Sequence, residues 1–264
     1  MSARDEPGQA SMSPPHPNPP PPGGREPIFP GPLLQRYGHP PAETEALSLQ
    51  RVDAALQRGL WADASGLSEA RPSVLSTQPS VLSNERQVVR RIAYACGDPE
   101  IAGLVRFHPE AVNAGVAALR AGAPIVVDVQ MVEVALDRET AQRLGCRVHR
   151  AIHHLSVARE AQARGLSRAA VAIQRLAPRL PGSIAVIGTA PTALLALLDL
   201  VDAGRARPSL IIGMPVGLVA AADAKAELAQ RSVPFITIVG TRGGAALAAA
   251  TANALPQIAR ASEE

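Results

Sequence analysis

The sequence predicts an α/β protein in which helices flank a parallel, doubly wound (Rossmann-like) sheet. Short apolar runs alternate with helical segments through the second half of the chain, and these runs show no polar face. Strands that are apolar on both faces belong to sheets that helices cover on both sides. Because 47% of the 264 residues are apolar, the chain can also bury a sizeable core.

Strands and helices alternate in a regular order in this prediction. The predicted strands are the apolar runs 124–129, 183–187, 209–212 and 234–239. The predicted helices are 46–60, 85–95, 108–121, 165–176, 191–203, 220–231 and 244–255. Asn84 is suited to cap the start of the second helix, and Gly122 is suited to end the third.

Composition divides the chain into three parts. Pro and Gly dominate residues 1–45, which predicts a disordered tail, because Pro removes backbone donors and fixes φ. A Pro-rich docking ligand is the alternative for this tail. Residues 46–84 are expected to form a partly helical linker, and residues 85–258 the α/β domain.

Charge, cysteine spacing and hydropathy exclude several classes of protein. The 26 basic and 23 acidic residues leave a net charge of +3, and no basic run is interleaved with aromatic residues, so nucleic acid is not an expected partner. Cys96 and Cys146 lie too far apart in sequence to indicate a metal motif or a disulfide framework. Residues 1–32 lack a signal-peptide core, and no apolar run reaches membrane length. The sequence therefore predicts a cytoplasmic protein without a membrane partner.

Three consecutive predicted strands run into glycine turns at Gly188, Gly213 and Gly240. In a doubly wound sheet such turns gather at the carboxyl ends of the strands, where ligands bind. Glycine allows close approach of a ligand, and the helix that follows offers free N–H groups. The turns therefore predict a binding rim for a ligand with several negative groups. Tight packing of strand against helix is the alternative, and no dinucleotide fingerprint or P-loop is present.

Two further features could carry chemistry. Asp128 interrupts an apolar strand, and a carboxylate there is either a site residue or a capping or ion-pair group. His149 and His153, followed by His154, have the i, i+4 spacing of a metal pair on a helix, although no acidic ligand lies beside them. The segment 148–154 is interpreted as a loop or an exposed helix, and no metal site is assigned.

Four blocks, in one order, are similar to the precorrin-8X methylmutase family. They are Ala-Leu-Arg-Ala-Gly-Ala-Pro-Ile at 118–125, Gly-Thr-Ala-Pro-Thr-Ala-Leu at 188–194, Ile-Gly-Met-Pro-Val-Gly at 212–217 and Arg-Gly-Gly at 242–244. The resemblance implies a homodimeric, cytoplasmic isomerase of cobalamin biosynthesis. Its corrinoid substrate would be precorrin-8X or cobalt-precorrin-8, and a methyl group would move from C11 to C12 without a redox cofactor or methyl donor.

The resemblance also assigns site residues. Arg168 matches an arginine of the family, with a surface arginine at a helix start as the alternative, and an ungapped count back from Tyr94 places Ser68 at the family's substrate-binding serine. The predicted substrate-binding residues are Ser68, Asp128, Arg168, Gly188, Thr189, Gly213, Met214, Gly217, Arg242 and Gly243.

Tyr94 is the predicted catalytic residue, and here the chain departs from the family. The family carries its histidine in a segment like Ile-His-Ala-Cys-Gly, whereas this chain has Ile-Ala-Tyr-Ala-Cys-Gly at 92–97. A histidine exchanges protons near neutral pH, but a tyrosine, with an ordinary pKa near 10, donates a hydrogen bond instead. Tyr94 is therefore expected to act by hydrogen bonding. A catalytically lapsed corrinoid or tetrapyrrole binder is the alternative.

Overall fold

The structure is a computed structural model that describes residues 41–57 and 84–261. The chain divides into two units, 1–44 and 45–264, and the described residues of the first unit form only the start of a helix. That helix begins at Pro41, five residues earlier than predicted, at a position where Pro is favoured. Ser68 and the tail before residue 41 lie outside the described residues, so their assignments stay predictions.

A six-stranded sheet forms the centre of the described α/β domain, with the order β1-β6-β5-β4-β2-β3. The strands are β1 Val105–Phe107, β2 Ile125–Val127, β3 Val148–His149, β4 Ile184–Ile187, β5 Leu210–Gly213 and β6 Phe235–Ile238. β1 runs antiparallel to β6, and the other pairings are parallel, with Ile184 of β4 opposite both Ile125 and Leu210. All four predicted strands are confirmed, while the short edge strands β1 and β3 were not predicted.

Helices cover both faces of this sheet. They are α1 Pro41–Gln57, α2 Asn84–Cys96, α3 Ala111–Arg120, α4 Gln130–Ala135, α5 Arg138–Arg143, α6 Leu155–Arg164, α7 Arg168–Arg175, α8 Pro191–Asp202, α9 Ala221–Ala229 and α10 Ala245–Ala261. Two 3-10 helices, Pro99–Leu104 and Ala177–Arg179, complete the described elements.

Three helix boundaries differ from the prediction for local reasons. Gly165 adopts the left-handed conformation that ends α6, so the predicted helix 165–176 begins only after Ser167, whose hydroxyl accepts the N–H of Ala170 at 3.1 Å. The helix predicted from residue 108 starts at Ala111. α10 continues through Pro256 to Ala261 instead of ending at residue 255.

Alternate strand residues supply two apolar cores. Val127, Val186 and Ile212 face a layer that contains α2, α3 and α10. Their neighbours Ala185 and Ile211 face α7, α8 and α9 on the other side. This arrangement explains why the strands are apolar on both faces, and it leaves the carboxyl ends of β4, β5 and β6 side by side at one edge.

Candidate functional site

The turns after β4, β5 and β6 meet at this edge, and together the turns 188–190, 214–217 and 240–244 are called the carboxyl rim. The N–H of Met214 donates to the carbonyl of Ile187 at 2.8 Å, which joins the first turn to the second. The N–H of Gly217 donates to Thr241 O at 3.1 Å, and the N–H of Gly244 to Met214 O at 2.9 Å. The predicted convergence of the three turns is therefore present.

Close packing accounts for several rim glycines. A Cβ at Gly188 would lie 2.6 Å from Val132 Cγ2 and 2.9 Å from the Ala245 Cα, and one at Gly213 would lie 2.4 Å from a Leu228 methyl group. At Gly243, with φ of +157°, a Cβ would lie 2.4 Å from Met214 O. The packing alternative thus holds at Gly188 and Gly213, whereas Gly243 permits two rim turns to touch.

Asp128 lies behind the first turn and has no exposed surface. Its Oδ1 accepts the N–H of Gly188 at 3.1 Å, and its Oδ2 accepts those of Thr189 at 2.8 Å and Ala190 at 3.0 Å. Burial raises the pKa of this carboxyl, and the three amide donors oppose that rise. The geometry matches the capping alternative, and the three amides of this turn are already bonded to protein.

Thr189 and Met214 present little polar surface to a ligand in this structure. The Thr189 hydroxyl oxygen is enclosed and has no hydrogen-bond partner among the described residues. Met214 is fully buried, and its sulfur accepts the hydroxyl of Thr251 at 3.5 Å. The side chain of Met214 therefore supports the rim from within the core.

Arg242 extends from the third turn to the segment that follows α2. Its guanidinium donates to Asp98 Oδ2, and this bond holds the pKa of Asp98 below its usual range and raises that of Arg242. Asp98 Oδ1 also accepts the N–H of Glu100 at 2.9 Å, where it caps a 3-10 helix. Arg242 is about half exposed, so a ligand carboxylate can reach it.

Tyr94 lies in the last turn of α2, just before the segment that Arg242 contacts. Its side chain is 39% exposed, and the phenol makes no hydrogen bond to any described residue. The Asp98–Arg242 ion pair therefore joins the end of the helix that carries Tyr94 to the third rim turn. Sequence reasoning assigned Tyr94 and Arg242 separately and did not predict this link.

Arg168 is exposed at the first position of α7. The preceding residue, Ser167, shares a hydrogen bond of 2.6 Å with the hydroxyl of Thr192 in the first turn of α8. Because α8 follows the Gly188 turn, this bond brings the start of α7 to the first rim turn. Within the described part of the chain, the Arg168 guanidinium makes no ion pair, so it is available to an anionic group.

The predicted helical spacing of His149 and His153 is wrong, because His149 belongs to strand β3 and pairs with Val126. His153 lies in the loop beyond, where Arg150 Nη1 approaches its Nδ1 at 2.9 Å. Since a guanidinium only donates, the Nδ1 of His153 accepts this bond. Among the described residues, no three acidic, histidine or cysteine side chains are grouped as metal ligands.

Lys225 contacts the rim from α9, and sequence reasoning missed it. It lies on α9 with 1% of its surface exposed, and its Nζ donates to the carbonyl oxygen of Arg242 at 2.5 Å. Burial lowers the pKa of this ammonium group to about 8. A signal was available, because Lys225 is the single lysine among the 26 basic residues of the chain.

Apolar side chains border the rim after β5. Val216, Leu218 and Val219 are 45%, 91% and 83% exposed. No described helix has the length and apolar character needed to cross a lipid bilayer. An exposed apolar border next to arginines suits a flat ligand with an apolar centre and charged margins, or a protein surface.

Known proteins share this sequence and fold. A model of the precorrin-8X methylmutase family matches residues 72–258. The cobalt-precorrin-8 methylmutase of Priestia megaterium is 39% identical over 172 residues, 65% of this chain and 76% of that protein. The precorrin-8X methylmutase of Pseudomonas aeruginosa is 44% identical over 170 residues, 62% and 80% of the two chains.

A solved structure agrees with the sequence relatives. The precorrin-8X methyl mutase from Thermus thermophilus is 35% identical, with a TM-score of 0.67, and the match covers 83% of this chain and 98% of that chain. The region matched by the family model contains the sheet, all three rim turns, Tyr94 and Arg168. This chain belongs to the precorrin-8X methylmutase family.

Proposed function

We propose that the chain binds precorrin-8X or cobalt-precorrin-8 at the carboxyl rim and moves the methyl group from C11 to C12. Membership of the family makes the chain an isomerase of cobalamin biosynthesis. The C11–CH₃ bond breaks and the C12–CH₃ bond forms, so the product has the formula of the substrate and no oxidant or methyl donor is consumed. The observation that carries the proposal is the match of the family over the whole rim.

Arginines would bind the carboxylates at the margin of the macrocycle. Arg168 is exposed and unpaired among the described residues, and Arg242 is held by a single carboxylate, that of Asp98. A guanidinium binds a carboxylate through two parallel hydrogen bonds, which fixes orientation as well as position. The methyl shift is intramolecular, so a fixed conformation of the ring supplies much of the rate increase.

Tyr94 would donate a hydrogen bond to the rearranging ring. Its phenol is exposed and lacks a described partner, so the donor is free for a ligand. A donor placed where electron density develops stabilises a transition state without transferring a proton. Asp128, by fixing three amides, would shape the rim instead of contacting the substrate.

Tyr94→Phe is expected to lower kcat by about ten- to a hundredfold, because one hydrogen bond to the transition state is lost. The assay follows the visible spectrum of precorrin-8X as it changes toward that of hydrogenobyrinate. Tyr94→His is the matched variant and should retain conversion. Unchanged kcat in Tyr94→Phe would remove the phenol from the mechanism. Binding without conversion by the native chain would favour the lapsed corrinoid binder.

The active form is proposed to be a cytoplasmic homodimer. The apolar side chains of Val216, Leu218 and Val219 support this proposal, because exposed large apolar groups close together are typical of contact surfaces. Light scattering of the full chain should give twice the chain mass of 27.4 kDa. A monomer at micromolar concentration, with full activity, would contradict the dimer.

A further inference from the structure

Lys225 is the buried cation that the proposed reaction leaves unused. The chain uses arginine at every other basic position, yet a lysine occupies this site on α9. Its side chain is 1% exposed, and the ammonium group donates to one backbone oxygen, that of Arg242, at 2.5 Å. A buried charge with so few partners is costly, so its presence calls for a specific reason.

Three hydrogen bonds and one close contact fix the third rim turn, and one of these bonds comes from Lys225. Thr241 O accepts the N–H of Gly217, and the N–H of Gly244 donates to Met214 O. Between these two bonds, Gly243 packs against the second turn, and the Arg242 carbonyl has the Lys225 ammonium as its partner. Lys225 thus fixes the peptide group of Arg242, whose side chain extends away from this bond toward Asp98.

We propose that Lys225 is a positioning residue that fixes the Arg242 peptide, and with it the direction of the Arg242 guanidinium toward a carboxylate of the corrinoid. This inference rests on the proposed function, because it requires that Arg242 binds the substrate. Lys225 itself does not touch the ligand. It acts on the site through one hydrogen bond to a backbone oxygen.

Electrostatics support the same role. No carboxylate of the described residues forms an ion pair with Lys225, and Glu227 on the same helix pairs with Arg231 instead. The charged groups of the neighbouring elements are Asp223 and Glu227 on α9, Asp199 and Asp202 on α8, Arg242 in the turn, and Asp98 bound to Arg242. Lys225 forms no ion pair with these groups, so the described partner of its ammonium group is the Arg242 carbonyl. A buried positive charge without a counter-ion favours an anionic ligand nearby.

A lysine meets this requirement better than an arginine. The ammonium group is a compact charge on a flexible four-carbon stem, so it can bind a single carbonyl from a buried position. A planar guanidinium needs more room and more acceptors. We therefore expect Lys225→Arg to disturb the turn nearly as much as Lys225→Met, which removes the charge and keeps the apolar stem.

The test compares native chain, Lys225→Met and Glu227→Gln in titrations with precorrin-8X and in the conversion assay. Lys225→Met should raise Kd and KM at least tenfold, because Arg242 no longer binds its carboxylate well, and kcat should fall by a smaller factor, because Arg168 and Tyr94 still hold the ring. Glu227→Gln removes a charge from the same helix and should bind like the native chain. Melting temperatures show whether each variant is folded.

Native affinity in folded Lys225→Met would overturn the inference and leave the proposed function intact. Failure of the native chain to bind corrinoid would overturn the proposed function.

The single lysine also allows a direct spectroscopic test. Protein labelled with ¹³C at lysine Cε gives one resonance, whose titration should have its midpoint near pH 8 in the free protein. Saturation with hydrogenobyrinic acid should raise that midpoint, because a carboxylate bound at Arg242 favours the charged form of its neighbour. An unchanged midpoint at saturation would mean that no ligand carboxylate binds beside Lys225 and Arg242, and that result would contradict the positioning role.

Discussion

The first and third rim turns are each held by a buried ionisable side chain, but of opposite charge. The Asp128 carboxylate accepts three N–H groups of the first turn, so these amides are occupied and partly offset the cost of burying the charge. The Lys225 ammonium donates to one carbonyl of the third turn, and burial lowers its pKa to about 8. The amides of the first turn are therefore all bonded within the protein. The third turn is bonded to an ammonium group that has no carboxylate partner among the described residues, and it carries an exposed arginine.

Among the variants of these two turns, Asp128→Asn is expected to have the largest effect on stability. The amide nitrogen of asparagine donates and cannot accept, so at least one backbone N–H of the first turn would be buried without a partner. We expect the free energy of unfolding to fall by about 3 kcal/mol, measured by urea denaturation. Asp223→Asn, at an exposed position on α9, is the control and should change it by less than about 0.5 kcal/mol. A small loss in Asp128→Asn would show that the first turn does not depend on its acid.

Lys225→Met should have the opposite effect on stability at neutral pH. The pKa of Lys225 is lowered in the folded chain to about 8 from an ordinary value of 10.5, so the unfolded chain binds more protons between these two values. The native chain therefore gains stability as pH rises through this window. Below pH 8 the relief of this burial penalty outweighs the lost bond to the Arg242 carbonyl, so we expect Lys225→Met to be more stable than the native chain by about 2 kcal/mol.

That difference between Lys225→Met and the native chain should shrink as pH rises toward 10.5. Thermal unfolding at a series of pH values measures it. A constant difference across the window would mean that the ammonium group is not destabilised by burial. Comparison with Glu227→Gln separates this effect from the general loss of a charge on α9.

Asp98→Asn should have the smallest effect on stability, about 1 kcal/mol or less, because the Asp98–Arg242 ion pair is partly exposed. Removing the internal carboxylate frees Arg242, so the affinity for precorrin-8X should rise about two- to fivefold. Equilibrium titration measures this change. Weaker binding by a folded Asp98→Asn variant would indicate that Asp98 orients Arg242 and does not compete for it.

The sequence predicted the parts of the fold that depend on continuous apolar pattern. Strands such as Ile184–Ile187 are buried on both faces and produce an unmistakable run. Val148–His149 is only two residues long and half-buried, so it leaves no such pattern. Gly165 was predicted to begin a helix because the preceding helix α6, which this glycine ends, was not predicted.

The sequence predicted where the three turns meet, but it did not predict which residues contact each other there. The glycine turns predicted that three turns meet at one edge, since parallel strands must end there, and the role of that edge in binding stays a proposal. The bond from Gly188 N–H to Asp128 joins residues 60 positions apart, and the pattern at either end left capping and substrate binding equally open. Lys225 was missed because its burial follows from the packing of α9, although its uniqueness among the basic residues was visible.

The ion pair between Arg242 and Asp98 has a consequence for turnover. In the proposed reaction, Arg242 begins each catalytic cycle bound to the carboxylate of Asp98, which a carboxylate of the corrinoid would displace. Substrate and product carry the same carboxylates, so this resident competitor weakens the binding of both by the same factor. The barrier to the methyl shift is unaffected, but the product leaves sooner as Asp98 closes on Arg242 again. We expect product inhibition to be stronger in Asp98→Asn than in the native chain. The ion pair between Arg242 and Asp98 would then promote product release.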